Sequence, residues 1–209
     1  MSDLKVYLPI NDLQPQFSAY LGSPTRARGY PPMAGENSLI IEVAPALEIH
    51  RIVDLALKAS PNMEPGILFT ERNFGLLELH SADNDELMTA GEAILKGLGA
   101  KPQDQLAPKT LYHDIIDDLS DQHAIILNRS RDASMLLPGA SLLVYEMAPA
   151  LFACVAANEA EKAAPNAIIN DVQMMGASGR IFMSGLSGDL EIARDRISDV
   201  LAEIDGRAS

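Results

Sequence analysis

Apolar and polar residues follow one another along this chain in runs that separate it into short strands and helices. Residues 5–10 form an apolar run suited to a short strand, and a polar turn or short helix follows as far as Leu21. Residues 23–37 carry three prolines at turn-like spacing, which predicts an irregular surface excursion. Residues 38–43 form an apolar run suited to a buried strand. Pro45 is placed to pre-set the first turn of a helix reaching about Ser60, with Ile49, Ile52, Val53 and Ala56 on one face, and Pro61 ends it. Two strands follow, 66–70 and 75–80, and the second alternates Leu77 and Leu79 against Glu78 and His80. Residues 71–74 are therefore a hairpin tip. Residues 84–98 are amphipathic, with Leu87, Ala90, Ile94 and Leu98 facing the core.

The same series then repeats. Glu42-Val43-Ala44-Pro45-Ala46-Leu47 returns 104 positions later as Glu146-Met147-Ala148-Pro149-Ala150-Leu151. The register holds onward: Ala56, Lys58, Ala59, Pro61 and Asn62 fall on Ala160, Lys162, Ala163, Pro165 and Asn166. Gly35 falls on Gly139, Gly75 on Gly179 and Asp85 on Asp189. Asp12-Leu13 and Gln16 match Asp118-Leu119 and Gln122 with a small insertion, and Leu190, Ala193, Ile197, Leu201 and Ile204 repeat the last helix's apolar face. The boundary is placed near Asp104, dividing the chain into residues 1–104 and 105–209. The order strand, loop, strand, helix, strand, strand, helix predicts an α+β fold, with helices packed on a mainly antiparallel sheet in each repeat.

Composition narrows what such a duplicated domain does. A formal net charge of -13 opposes binding to phosphate backbones, and the arginines at 26, 28, 129 and 131 are only pairs in loops, so no nucleic acid partner is expected. The single cysteine, Cys154, lies in an apolar helical run and reads as core. No basic segment followed by an apolar stretch opens the chain, and no apolar run reaches the ~20 residues of a membrane helix, so a cytoplasmic protein with no membrane partner is expected.

Motifs for catalysis are missing. Gly176-Ala177-Ser178-Gly179 and Gly185-Leu186-Ser187-Gly188 lack the spacing of a nucleophile elbow, and neither a phosphate-cradling loop nor a dinucleotide fingerprint occurs. Among the histidines only His113 and His123 lie in suggestive company, since His113 and Asp117 would sit one turn apart on a helix. A solvated acidic face is the ordinary reading of that segment, and no metal, cofactor or catalytic residue is assigned. Three classes remain: a structural assembly protein, a tandem α/β small-molecule sensor, and an enzyme built on His113, His123 and the nearby aspartates.

Several stretches together resemble one known family. They are Leu13-Gln14-Pro15-Gln16 with Tyr20-Leu21-Gly22, Glu42-Val43-Ala44-Pro45, Glu71-Arg72-Asn73-Phe74-Gly75, Leu137-Pro138-Gly139, Ala157 through Ala164, and Gly176-Ala177-Ser178-Gly179-Arg180. In these, and over essentially its full length, the chain is similar to the tandem-domain shell proteins of bacterial microcompartments, in their circularly permuted, carboxysome-type form. Ala46 stands where the family commonly has glycine, and residues 23–37 depart from its usual loop.

The resemblance implies a shell protein with no enzymatic activity, in which three chains close a pseudohexameric ring of six similar domains around a pore. It implies that the hairpin tips line this pore. Glu71 and Arg72, with Asn73 and Phe74, fall on the gating positions, and Gly176, Ala177, Ser178 and Gly179 form the small, flexible tip of the second repeat. Lys58 and Lys162 match the lysine that meets neighbouring tiles. From residues alone Glu71 and Arg72 read as a surface pair, and each lysine as a favourable helix end. The implied partners are other copies of the chain, including a stacked pair of trimers, other shell hexamers and pentamers, and small polar metabolites crossing the pore. The implied location is the microcompartment shell.

Overall fold

The computed structural model describes residues 3–23, 28–130 and 133–208. Two of the loop arginines, Arg26 and Arg131, lie outside the described residues. The chain divides into two compact units, Met1–Ala107 with Asp205–Ser209, and Pro108–Ile204.

In the first unit β1 (Asp3–Ile10), α1 (Pro15–Leu21), β2 (Asn37–Ala44), α2 (Glu48–Ala59), β3 (Glu64–Thr70), β4 (Gly75–Ser81) and α3 (Asn84–Leu98) follow in order. The second unit repeats them as β5 (Lys109–Ile116), α4 (Asp121–Asn128), β6 (Ser141–Ala148), α5 (Phe152–Ala163), β7 (Ile168–Gln173), β8 (Gly179–Gly185) and α6 (Ser187–Glu203). Each unit holds a four-stranded sheet, ordered β1-β2-β4-β3 and β5-β6-β8-β7. All neighbouring strands in both sheets run antiparallel. The α+β expectation is met.

Local chemistry explains the boundaries. Pro15 occupies the first turn of α1, where a missing N–H costs nothing. Asp83 caps α3 by accepting from the Asp85 N–H, and Gly99 ends that helix in the left-handed region at φ 66°. Pro45 does not open α2. Residues 45–47 form a turn in which Pro45, Ala46 and Leu47 carbonyls accept from Glu48, Ile49 and His50, and the α-helix starts at Glu48. The chain needs that turn to leave the strand direction before it can coil.

One turn recurs in both repeats. Asp12 and Asp118 adopt φ 59° and 50°, and Gly35 and Gly139 adopt φ 88° and 79°. Leu13 N–H donates to Glu36 O while Gly35 N–H donates to Leu13 O, both at 2.8 Å. Leu119 and Gly139 make the matching pair with Ala140 and Leu119. The strain of a non-glycine residue at positive φ is offset by two backbone bonds that return the loop to its sheet.

Helices cover one face of each sheet. Ile49, Ile52 and Ala56 of α2 and Leu87, Ala90 and Ile94 of α3 pack on Leu39, Ile41, Val43, Leu77 and Leu79. Glycine is needed where β4 passes beneath the turn into α2, because a Cβ on Gly75 would lie 2.3 Å from Ala46 O. Gly179 meets Ala150 O at 2.2 Å in the same way. The opposite face of the second sheet is covered by Leu119, Ala124 and Leu136 packed on Leu142.

The alternation in β4 does not produce an exposed polar face. β4 lies inside its sheet, and residues 29–30 join the neighbouring β3, Gly29 and Tyr30 N–H donating to Gly66 O and Pro65 O at 3.1 and 3.0 Å. Glu78 and His80 are therefore 0% and 1% exposed. Ser38 Oγ donates to Glu78 Oε1 at 2.6 Å, and His80 Nδ1 lies 3.3 and 3.2 Å from the two Glu78 oxygens. His80 Nε2 is 3.7 Å from Glu64 Oε2. Burial opposes the imidazolium, but its hydrogen bond to Glu78 and the charges of Glu78, Glu36 and Glu64 outweigh it and raise the His80 pKa.

A raised folded pKa means this cluster stabilises fully below the unfolded histidine value of about 6.5 and loses that contribution as pH rises through the folded value. His80→Ala, which leaves the buried Glu78 carboxylate with the Ser38 hydroxyl in place of two partners, should cost about 2–3 kcal/mol at pH 6. The difference from wild type in urea unfolding should shrink towards pH 8; a difference that stays constant across that range would exclude a charged His80.

Candidate functional site

The Glu71, Arg72, Asn73 and Phe74 tip closes on the last β3–β4 pair, Thr70 with Gly75. Glu71 N–H donates to Phe74 O at 2.9 Å, making a tight hairpin end. Glu71, Arg72 and Asn73 are exposed, and Phe74 is half-buried beside Phe69, with ring centroids 6.5 Å apart and planes tilted by 47°. The Glu71 carboxylate folds back to accept the Arg72 N–H at 3.0 Å. It does not engage the guanidinium. Among the described residues the Arg72 side chain makes no ion pair. Two opposite charges on one turn, not paired with each other, form an ion pair that can be made or broken by rotamer changes alone.

The tip of the second repeat is different. It spans residues 174–178 between β7 and β8, with Met174 buried and Gly176 at φ 118°. Met175 and Gly176 occupy the positions of Glu71 and Arg72, so the charged pair occurs in only one of the two tips. Ser178 Oγ donates to Glu146 Oε1 at 2.6 Å, and Arg180 Nε donates to the same oxygen at 3.0 Å. These bonds, Ser178 first and then Arg180, hold the Glu146 carboxyl below its usual range.

Glu146 is the repeat partner of Glu42, and neither stood out as a functional residue by sequence. Glu42 is register-matched to Val6 and Leu76, both buried. Burial pushes its carboxyl up to about 7, with Lys5 acting in the opposite direction. The available signal was an acidic residue recurring at the same place inside two apolar strands.

Lys58 ends α2 on an exposed surface, its Nζ 2.6 Å from Asp54 Oδ2 one turn back. Lys162 ends α5 more deeply, 2.9 Å from Glu159 Oε1, while Arg196 Nη2 meets the other Glu159 oxygen at 2.6 Å. Burial works against the Glu159 carboxylate, yet Arg196 and Lys162 together hold its pKa low. The two lysines share a helix position but not an environment.

The histidines sort differently from the sequence expectation. His113 is not helical: it lies on β5 and stacks on Tyr145 with centroids 5.2 Å apart, so the one-turn spacing to Asp117 does not exist. His80 is the histidine built into a polar cluster. Among the described residues no group of three or more His, Cys, Asp or Glu side chains is placed to hold a metal ion, and no helix is long and apolar enough to cross a membrane. Cys154 is buried in α5.

Known proteins share this arrangement. A family model described as the CsoS1D N-terminal domain matches residues 4–104. The carboxysome shell protein CcmP of Synechococcus elongatus (strain ATCC 33912 / PCC 7942 / FACHB-805) is 39% identical over 98% of this chain and 94% of its own. The carboxysome shell protein CsoS1D of Hydrogenovibrio crunogenus (strain DSM 25203 / XCL-2) is 36% identical over 100% of both. Among solved structures, the double ringed trimeric shell protein MSM0271 from the RMM microcompartment is 57% identical and matches 100% of both chains with a TM-score of 0.96. The fused permuted hexameric shell protein MSM0275 from the same microcompartment is 42% identical and matches 98% of this chain and 99% of its own with a TM-score of 0.92. Two copies of one α+β unit, matched from end to end by shell proteins of this kind, lead to one assignment: the chain belongs to the circularly permuted, tandem-domain family of bacterial microcompartment shell proteins.

Proposed function

We propose that this chain is a non-enzymatic shell tile that assembles as a ring of three, with an aperture controlled by Glu71 and Arg72. The observation that carries this reading is the end-to-end likeness to a trimeric shell protein, combined with an exposed tip on which an arginine without an ion pair among the described residues adjoins a glutamate that accepts its neighbour's N–H. Threefold closure brings three such tips together, and with them three carboxylates and three guanidiniums. Paired, they plug the opening; swung apart, they leave a passage lined by fixed charge that favours small polar metabolites over apolar ones.

The two states need differ only in exposed rotamers and exposed ion pairs, worth about 1 kcal/mol or less each. A metabolite or a neighbouring tile that binds one state better can therefore shift the balance. Asn73 and Phe74 complete the gate, Phe74 as the apolar root on which the turn pivots against Phe69. The Gly176, Ala177, Ser178 and Gly179 turn is the second repeat's contribution to the rim. Tiles of this kind join other shell hexamers and pentamers through their edges, where Lys58 and Lys162 make the contacts. A second ring stacked on the first is supported by the double ringed form of the MSM0271 relative.

Light scattering on the purified chain should give a mass of three chains or a multiple of it; a stable monomer at micromolar concentration would remove the proposal. Glu71→Ala and Arg72→Ala should keep that mass while changing the proportion of open and closed apertures in crystal structures or particle images. An aperture identical to wild type in both variants would mean that these side chains are not the gate.

For the edges, Lys58→Ala with Lys162→Ala should weaken extended sheets in electron micrographs without dissolving the ring. The exposed Lys58–Asp54 pair contributes about 0.5 kcal/mol or less to folding, so a loss of sheets would report contacts between tiles rather than instability. Sheets as extensive as wild type would exclude the edge role.

A further inference from the structure

The two hairpin tips occupy equivalent sheet positions but are held by different chemistry. In the second repeat Glu146 on β6, Arg180 on β8 and Gln173 on β7 are direct cross-strand neighbours. Their side chains bond across the sheet: Arg180 Nε donates to Glu146 Oε1 at 3.0 Å, Arg180 Nη1 to Gln173 Oε1 at 3.1 Å, and Gln173 Nε2 to Asp171 Oδ2 at 3.1 Å. Ser178, the last residue of the tip, donates to the same Glu146 oxygen at 2.6 Å. The turn is thereby tied to an inner strand by one charge-assisted bond, stronger than a neutral one, from Ser178 to a carboxylate that Arg180 also holds.

In the first repeat the same row reads Glu42, Leu76 and Phe69, with Phe74 standing where Ser178 stands in the other tip. None of these apolar side chains can donate to a carboxylate. Phe74 leans on Phe69 at 6.5 Å, a contact with little directional demand. Among the described residues, the only hydrogen bonds holding residues 71–74 are the turn's own, Glu71 N–H to Phe74 O and Arg72 N–H to the Glu71 carboxylate. By residue type alone, glycine, alanine and serine would make the second tip the looser one. The carboxylate row reverses that order.

We propose that Glu146 is a positioning residue that pins the second repeat's tip through Ser178 and Arg180, so that movement at the rim is confined to the tip formed by residues 71–74. As a statement about gating this rests on the aperture reading above; as a statement about which tip is fixed it rests on the two sheets alone. The Ser178 and Arg180 bonds hold the Glu146 carboxyl below its usual range, while burial leaves Glu42 at about 7 without an equivalent guanidinium.

Amide hydrogen exchange on the full-length protein in its native oligomer tests the pin. After correction for intrinsic rates, amides of residues 175–178 should exchange ~10-fold more slowly than those of residues 71–74. Glu146→Gln, which keeps the side chain's shape, should speed exchange at 175–178 ~10-fold and leave 71–74 as they were, and Ser178→Ala should give a smaller rise because the Arg180 bond survives. Equal rates at the two wild-type tips, or no change at 175–178 in either variant, would overturn the proposal. Should Glu146→Gln not fold, the wild-type contrast and Ser178→Ala decide. An unchanged aperture in the Glu71 and Arg72 variants alongside the expected exchange contrast would sink the gate while leaving the pin in place.

Discussion

Each four-stranded sheet in this protein has two faces to shelter from water, while the two longer helices of each repeat pack against one of them, and much that is particular about the chain follows from how the second face is covered. Helices α2 and α3 take one face of the first sheet with an aliphatic core. The other face of the second sheet is left to short pieces, α4 and Leu136 packed on Leu142, and in the first unit α1 buries Phe17 and Leu21 while residues 29–30 bond to β3. Short covers bury strands without filling every position with hydrocarbon, so polar groups on that face must find partners within the sheet.

The two repeats meet this demand in opposite ways. At one end of the first sheet Ser38, Glu78 and His80 bond to one another in a buried cluster bordered by the exposed Glu64, where the second has Leu142, Phe182, Ser184 and Ile168. At the end nearest the hairpin tip the pattern inverts. The second sheet carries the Glu146, Arg180, Gln173 and Asp171 row, and the first has Leu76 and Phe69 around a carboxyl that burial drives towards neutrality. Polar side-chain bonds thus stiffen opposite ends of the two sheets. Among the described residues, the tip bearing Glu71 and Arg72 receives no such side-chain bond from its sheet.

Much of this was legible in the residues. The duplication, the strand and helix order, the hairpin tips and the limits of α3 all followed from periodicity and breakers, because amphipathic helices and apolar strands carry their spacing in local sequence. The family likeness drew on the same stretches, Glu42 to Pro45 and Glu71 to Gly75 among them, and the full-length relatives agree with it. Errors arose where a residue's surroundings come from distant chain. The alternation of Glu78 and His80 with leucines did not show that both are buried, on an inner strand beside the Pro65 and Gly66 segment to which Gly29 and Tyr30 bond. His113 adjoins aspartates as a helical ligand would, yet lies on an edge strand against Tyr145.

The sequence by itself determined that this protein is two like α+β units and which turn in each carries the distinctive residues, since both depend on short-range pattern and on identity between the halves. Tertiary structure alone decided which turn is fastened. Glu146 and Ser178 are 32 positions apart, and Glu42 and Leu76 slightly farther, so only strand register could show a carboxylate meeting a hydroxyl and a guanidinium in one sheet and a leucine in the other. Register is set by the pairing of whole strands, and no single segment contains it.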